Sequence, residues 1–181
     1  MKKIALLGII LIIMISGCIG SPVTKYEFAG KTLNFRADLR EAEKINVYPD
    51  EQTLWNMLMG PYVRIIHIGF YPNDTENPYY TVAAYELSYK LQYINDVYWG
   101  PNQVEIKPMI LNSTKDLMLA NEVEPIILML GPSKANETSI RIDNYLITVS
   151  GKDFSEIDRT YTDLDLAVDK LLLVLMKTKD L

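Results

Sequence analysis

Short bursts of alternating apolar and polar residues open the readable part of this chain. Tyr26 and Phe28 alternate with polar neighbours, Gly30 punctuates, and Leu33 and Phe35 alternate again, which predicts a hairpin. A charged stretch, Arg36 to Lys44, is followed by a short strand over Ile45 to Tyr48. Pro49-Asp50 starts a helix with Asp50 as its cap. Leu54, Met57 and Leu58 share one face, and Gly60-Pro61 stops it. The segment from Val63 to Phe70, "VRIIHIGF", is apolar on both faces, as in an interior strand of a parallel sheet.

The loop from Tyr71 to Tyr79 leads into a helix over Thr81 to Asn95, where Leu87, Leu91 and Ile94 recur at helical spacing. A strand follows over Gln103 to Leu111, then a short helix near Ser113 to Asn121, then the apolar strand "PIILML". Strand and helix in alternation imply right-handed crossovers and a parallel sheet. Ser139 to Asp143 and Tyr145 to Ser150 flank Asp143-Asn144, a tight hairpin turn. Thr162 and Asp165 form a capping box for a last helix, whose buried face is Leu164, Ala167, Val168, Leu171, Leu172 and Leu175. The expected fold class is α/β: a single-domain sandwich with a mainly parallel central sheet, helices on its faces and hairpins near both ends.

Residues 1–17 are built differently. Lys2 and Lys3 precede a dense apolar run from Ile4 to Ile15, and small residues follow, the three-part layout of a secretory signal. Ile15-Ser16-Gly17-Cys18 resembles the lipobox of membrane lipoprotein precursors. That resemblance covers these four residues and the leader before them. It implies cleavage before Cys18, a lipid on the Cys18 sulfur, a tether over residues 18–24, and an exported domain over 25–181. The Ile-, Lys- and Glu-rich composition also resembles that of archaeal surface lipoproteins. The competing expectation is a retained signal anchor, since residues 4–24 carry no charge and approach the length of one membrane span. In either case Lys2 and Lys3 hold the N-terminus inside, so the domain faces out from the cell membrane. Asn73, Asn112 and Asn136 head three N-x-Ser/Thr sequons, which suit that side of the membrane.

Charge and cysteine content remove several function classes. The formal charge is -5, and the loss of Lys2 and Lys3 takes it to -7. Without a basic cluster, nucleic acid is not an expected partner. A single Cys excludes an intramolecular disulfide, a CxxC redox site and a thiolate zinc cluster. Neither GxGxxG nor GxxxxGK[ST] occurs, and Leu130-Gly131-Pro132-Ser133 has one glycine and a proline lacking an N–H, so no nucleotide is expected. No GxSxG elbow surrounds a serine. No cofactor is expected.

Three groups of residues deserve weighing. His67, the sole histidine, lies mid-strand and is expected as a satisfied core imidazole. Asp163, Asp165 and Asp169, with Asp153, Glu156 and Asp158 before them, lack a calcium-loop pattern and suit the positive end of a helix dipole. Tyr85, Tyr89 and Tyr93 recur every four residues and so share one side of their helix. They are expected to pack on the sheet and widen its core face; turned to solvent instead, they would form an aromatic platform for a glycan or a protein partner.

With no catalytic set assembled, the expected function is a lipid-anchored cell-envelope protein that binds a surface ligand or supports a surface assembly. An extracytoplasmic hydrolase working with carboxylates alone is the other expectation, because paired acids leave no recognisable spacing. A two-domain solute receptor is disfavoured by the size of the chain.

Overall fold

In the computed structural model, which describes residues 24–73, 75–154 and 161–177, the opening alternation forms a hairpin. β1 (Thr24–Phe28) pairs antiparallel with β2 (Lys31–Phe35). Ala29 and Gly30 make the two-residue turn at φ 48° and 78°, the left-handed pair whose twist matches flanking strands. The signal segment and Cys18 lie outside the described residues, and Thr24, the last residue of the expected tether, already belongs to β1.

The charged stretch contains one turn of helix, α1 (Leu39–Ala42), capped by the Asp38 carboxylate on the Arg40 N–H. β3 (Asn46–Tyr48) and α2 (Glu51–Leu58) follow as expected, with Asp50 accepting from the Thr53 N–H at 2.7 Å. After β4 (Ile65–Phe70) comes α3 (Asn77–Trp99), longer at both ends than the expected Thr81 to Asn95. Pro78 occupies the first turn, where no backbone N–H is required. β5 (Glu105–Ile110) leads into a 3-10 turn over Thr114–Leu119 rather than an α-helix. Then come β6 (Ile126–Leu130), β7 (Ser139–Asp143), β8 (Leu146–Ser150) and α4 (Asp163–Lys177).

Six strands form one sheet in the order β3-β7-β8-β6-β4-β5. β8, β6, β4 and β5 run parallel, β3 runs parallel to β7, and the antiparallel β7–β8 hairpin joins the two groups. The second hairpin is therefore built into the sheet. α3 carries the chain from β4 out to β5 over one face. The return from β5 to β6 must use the opposite face if both crossovers are right-handed. Leu111, which starts that return, is fully buried, and a Cβ on Gly69 of β4 would meet its Cδ1 at 3.2 Å.

Among the described residues, α1, α2 and α4 pack on the same side of the sheet as α3, and the β1–β2 hairpin lies over α3 and α4 from outside. Phe28 meets Tyr93 edge-on at 6.2 Å, and the Lys90 ammonium sits 3.9 Å from the Phe35 ring centroid. α4 is thereby enclosed by sheet, neighbouring helices and hairpin, and every residue from Asp163 to Met176 is buried. The sequence pattern marks only one apolar face. The other side, with Leu166, Leu173 and Val174, is covered as well.

α4 starts hard against the end of β8. A Cβ on Gly151 would lie 2.3 Å from the Leu164 nitrogen and 2.7 Å from its Cα, both backbone atoms that cannot swing aside. Gly151→Ala is expected to cost about 3 kcal/mol through overpacking, read as a lower urea midpoint at unchanged slope.

Candidate functional site: the cleft between the hairpin and the long helix

In open α/β sheets the carboxyl ends of parallel strands are the usual ligand crevice. Here the part of that end next to α3 is filled by a latch, while between the ends of β6 and β8 and the start of β7 a cavity of about 500 Å³ is lined by Lys134, Glu137 and Arg141. Glu76, just before α3, accepts from the Tyr80 hydroxyl at 2.8 Å and from the Ser133 N–H and hydroxyl, each at 2.9 Å. The Tyr80 oxygen in turn accepts from the Gly131 N–H at 2.7 Å. Burial alone would push the Glu76 carboxyl up, but the Ser133 and Tyr80 donors together hold it below its ordinary value. Tyr80 is pushed up by burial and by the Glu76 carboxylate. The latch groups satisfy one another and so leave no free polar atom of their own for a ligand.

An open cleft lies elsewhere, between β2 and α3, with a volume of about 340 Å³. This is near the lower end of the roughly 300–1,000 Å³ typical of ligand sites. Thr32, Asn34 and Arg36 form one wall and Leu33 contributes to the floor. Val82, Tyr85 and Tyr89 form the other wall, on successive turns of α3. Tyr85 is 75% exposed and Tyr89 53%. Lys31 fixes Tyr89 by donating to its hydroxyl at 2.9 Å, with the ammonium 4.9 Å from the ring centroid.

The three tyrosines therefore separate. Tyr85 and Tyr89 do not widen the core face; they stand in solvent at the cleft. Tyr93 packs against the core, edge-on to Phe28, and its hydroxyl donates to the carbonyls of Phe28 and Ala29, each at 3.3 Å. A repeat of four on a helix of 3.6 residues per turn drifts about 40° per step. Tyr93 is carried under the hairpin by that drift, while Tyr85 stays outside.

Beneath the cleft lies a buried charge cluster. Glu86 and Lys90 line its floor and form an i,i+4 ion pair. Asp169 of α4, with no exposed surface, lies 3.9 Å from the Lys90 ammonium and accepts from the Ala37 N–H at 3.0 Å. Its Oδ1 is without a hydrogen-bond partner. Burial pushes the Asp169 carboxyl well above its ordinary value, Glu86 pushes it further, and Lys90 and the Ala37 N–H oppose the rise. Asp165, the capping-box partner of Thr162, lies 3.9 Å from Arg36.

No protein-family model, curated protein or solved structure matches the chain. The geometry is the guide to what the cleft does. On the far side of Tyr85, between α3 and β5, is an apolar groove of about 560 Å³ floored by Ala84, Ile106 and Pro108. Tyr85 thus forms a ridge between the cleft and this groove.

The remaining candidates disperse. His67 is not in the core. It projects from the sheet face opposite the α-helices, its side chain 19% exposed, with Nε2 3.3 Å from a Glu124 oxygen. The helix-start acids do not converge: Asp163 accepts from the Thr138 hydroxyl at 2.6 Å, Asp165 serves the cap, and Asp169 faces Lys90. Among the described residues, no group of three or more His, Cys, Asp or Glu is placed to hold a metal ion. Asp153 is described and precedes the helix, whereas Glu156 and Asp158 lie outside the described residues. Asn112 and Asn136 are exposed in loops, whereas Asn73 is half-buried and donates to Glu76 at 3.4 Å and to Ser133 at 3.5 Å. The buried cluster was missed in the sequence because its members, Glu86, Lys90 and Asp169, lie on two helices far apart in the chain. Only the i,i+4 spacing of Glu86 and Lys90 gave a hint.

Two outcomes follow from this site. Tyr85→Ala and Tyr89→Ala are each expected to change stability by less than about 0.5 kcal/mol, as at exposed positions. Tyr93→Ala is expected to cost about 3 kcal/mol, and denaturant titration of the three variants checks the contrast. Asp169 sets a pH dependence. Its folded pKa is raised, so the unfolded chain gives up the proton first as pH rises through about 4. The associated stability is full below that pH and is lost as pH climbs toward the folded value. Asp169→Asn, which cannot titrate, is expected to gain on the parent protein between pH 4 and neutrality in urea titrations across that range.

Proposed function

We propose that this chain is a lipid-anchored cell-envelope protein, held at the extracytoplasmic face of the cell membrane, whose domain is a non-enzymatic binding module. The observation that carries the binding part is the pair of solvent-facing rings, Tyr85 and Tyr89, across an open cleft from β2. Large aromatic side chains left in water beside a concave polar wall are the composition of a recognition surface. The anchoring part rests on the leader and on Ile15-Ser16-Gly17-Cys18. No helix among the described residues is long and apolar enough to cross a membrane.

One observation favours a second function, a hydrolase working through carboxylates: Glu86 lines the cleft, with the protonation-shifted Asp169 behind it. Lys90 argues for the binding module, because it pairs with Glu86 and lies near Asp169, leaving no free acid–base couple at the cleft.

Intact-mass analysis of protein extracted from native membranes tests the anchor. The expected species begins at Cys18 and carries a lipid mass on it. A chain retaining Met1 and bare at Cys18 would exclude the lipid anchor. The same spectrum reads the sequons. Glycan, where a glycosylation system is present, is expected on Asn112 and Asn136 and not on Asn73, whose amide is engaged by Glu76 and Ser133.

A further inference from the structure

A strand edge with unpaired N–H and C=O groups invites another chain, and folded proteins ordinarily blunt such edges. The described sheets have four edges, and three are blunted. β5 hydrogen-bonds to β4 through its odd-numbered residues, since Glu105 donates to Arg64 and Leu111 to Phe70. Its even-numbered residues face outward, and the middle one is Pro108, which has no N–H. β3 is three residues long and ends against Pro49. β1 turns outward the backbone of Lys25 and Glu27, two charged residues.

β2 is different. Phe28 and Lys31 close the two-residue turn and form a hydrogen-bonded pair, as do Tyr26 with Leu33 and Thr24 with Phe35. Thr32 and Asn34 fall at the alternate positions, so their N–H and C=O groups point away from β1. Both residues are exposed, uncharged and free of proline. The cleft runs along this edge: its hairpin-side lining comes from β2 and the residue after it, with none from β1. The opposite wall is Val82, Tyr85 and Tyr89 of α3.

We propose that the cleft accepts an extended peptide segment of a partner protein as a third strand on β2. This rests on the binding-module reading above and names its ligand class. The main chain of the segment bonds to Thr32 and Asn34, two outward residues about 7 Å apart at strand spacing. Alternate side chains of the segment point toward α3, where Tyr85 and Tyr89 receive apolar groups. The intervening side chains face solvent. A polar edge and an aromatic wall are both required for this mode, and both are present. A glycan would use the rings without needing the unblunted edge.

Selection of phage-displayed random heptapeptides on the full chain, followed by resynthesis of the binders, tests the proposal. The expected binders carry apolar residues at every second position. N-methylation of alternate amides is expected to weaken them by about tenfold per site, and methylation of the intervening amides much less. Asn34→Pro removes an outward N–H at an edge position where proline is tolerated, and is expected to abolish binding with the thermal melt retained. Tyr85→Ala is expected to weaken binding without loss of fold, which keeps the test valid should Asn34→Pro fail to fold. The proposal is overturned if no peptide is selected, if binding lacks the period-two sensitivity to methylation, or if the folded Asn34→Pro protein binds normally. It is also overturned if selected peptides are displaced by neutral oligosaccharides in a Tyr85-dependent manner. None of these outcomes alters the mass of the Cys18 terminus, so failure of the ligand class and failure of the anchor are read separately.

Discussion

The structure depends on the enclosure of α4. A helix buried on every side must find a partner for each of its polar side chains, since an unpaired buried charge costs several kcal/mol. α4 meets this by binding a different neighbour with each one. Asp163 takes the Thr138 hydroxyl, Asp165 closes the capping box on Thr162, and Asp169 receives the Ala37 N–H beside Lys90. Lys170 donates to the Glu43 carbonyl at 3.0 Å and pairs with Glu51 of α2. Lys177, past the buried stretch, pairs with Glu43 at 2.7 Å. Each contact pins a segment that the sheet alone does not hold: the β6–β7 connection, the chain leaving β2, and the α1–α2 region.

That arrangement explains why the candidate site lies over helices rather than at the ends of strands. The hairpin is a two-stranded sheet separate from the six-stranded one; it and the chain leaving it are fastened through Phe28, Phe35 and Ala37 to α3 and α4. Laid over two helices, it leaves the flank of α3 nearest β2 uncovered. The cleft is the gap between a strand that stops pairing and a helix that runs on past it. Its floor is charged for the same reason. Lys90 extends beneath Phe35 toward α4, and Glu86 one turn earlier compensates it.

The cleft has one rigid and one adaptable wall. α3 is a 23-residue helix braced by the sheet, so the rings on it are held at set spacing. β2 is a five-residue strand in a two-stranded ribbon, a form whose twist is less constrained than that of a larger sheet. At the other end of α3, the Glu76 latch ties the helix start to the loop after β6.

The sequence by itself determined much of the local structure. Alternation at Tyr26–Phe28 and Leu33–Phe35, the Asp50 cap, the continuous apolar runs of β4 and β6, and the Thr162–Asp165 box all follow from short-range rules, and the α/β class follows from their order. The lipobox-like Cys18 is legible only in sequence, because it falls outside the described residues. Tertiary structure decided which face of a pattern meets solvent. Spacing alone places Tyr85, Tyr89 and Tyr93 together; the position of the hairpin buries one and exposes two. Spacing also cannot bring Asp169 to Lys90, or show that among the described residues β2 keeps an unpaired edge while β5 is blunted by Pro108. Those are contacts between segments distant in the chain, set by how layers stack, and a periodicity read along one segment carries no information about the layer that will cover it.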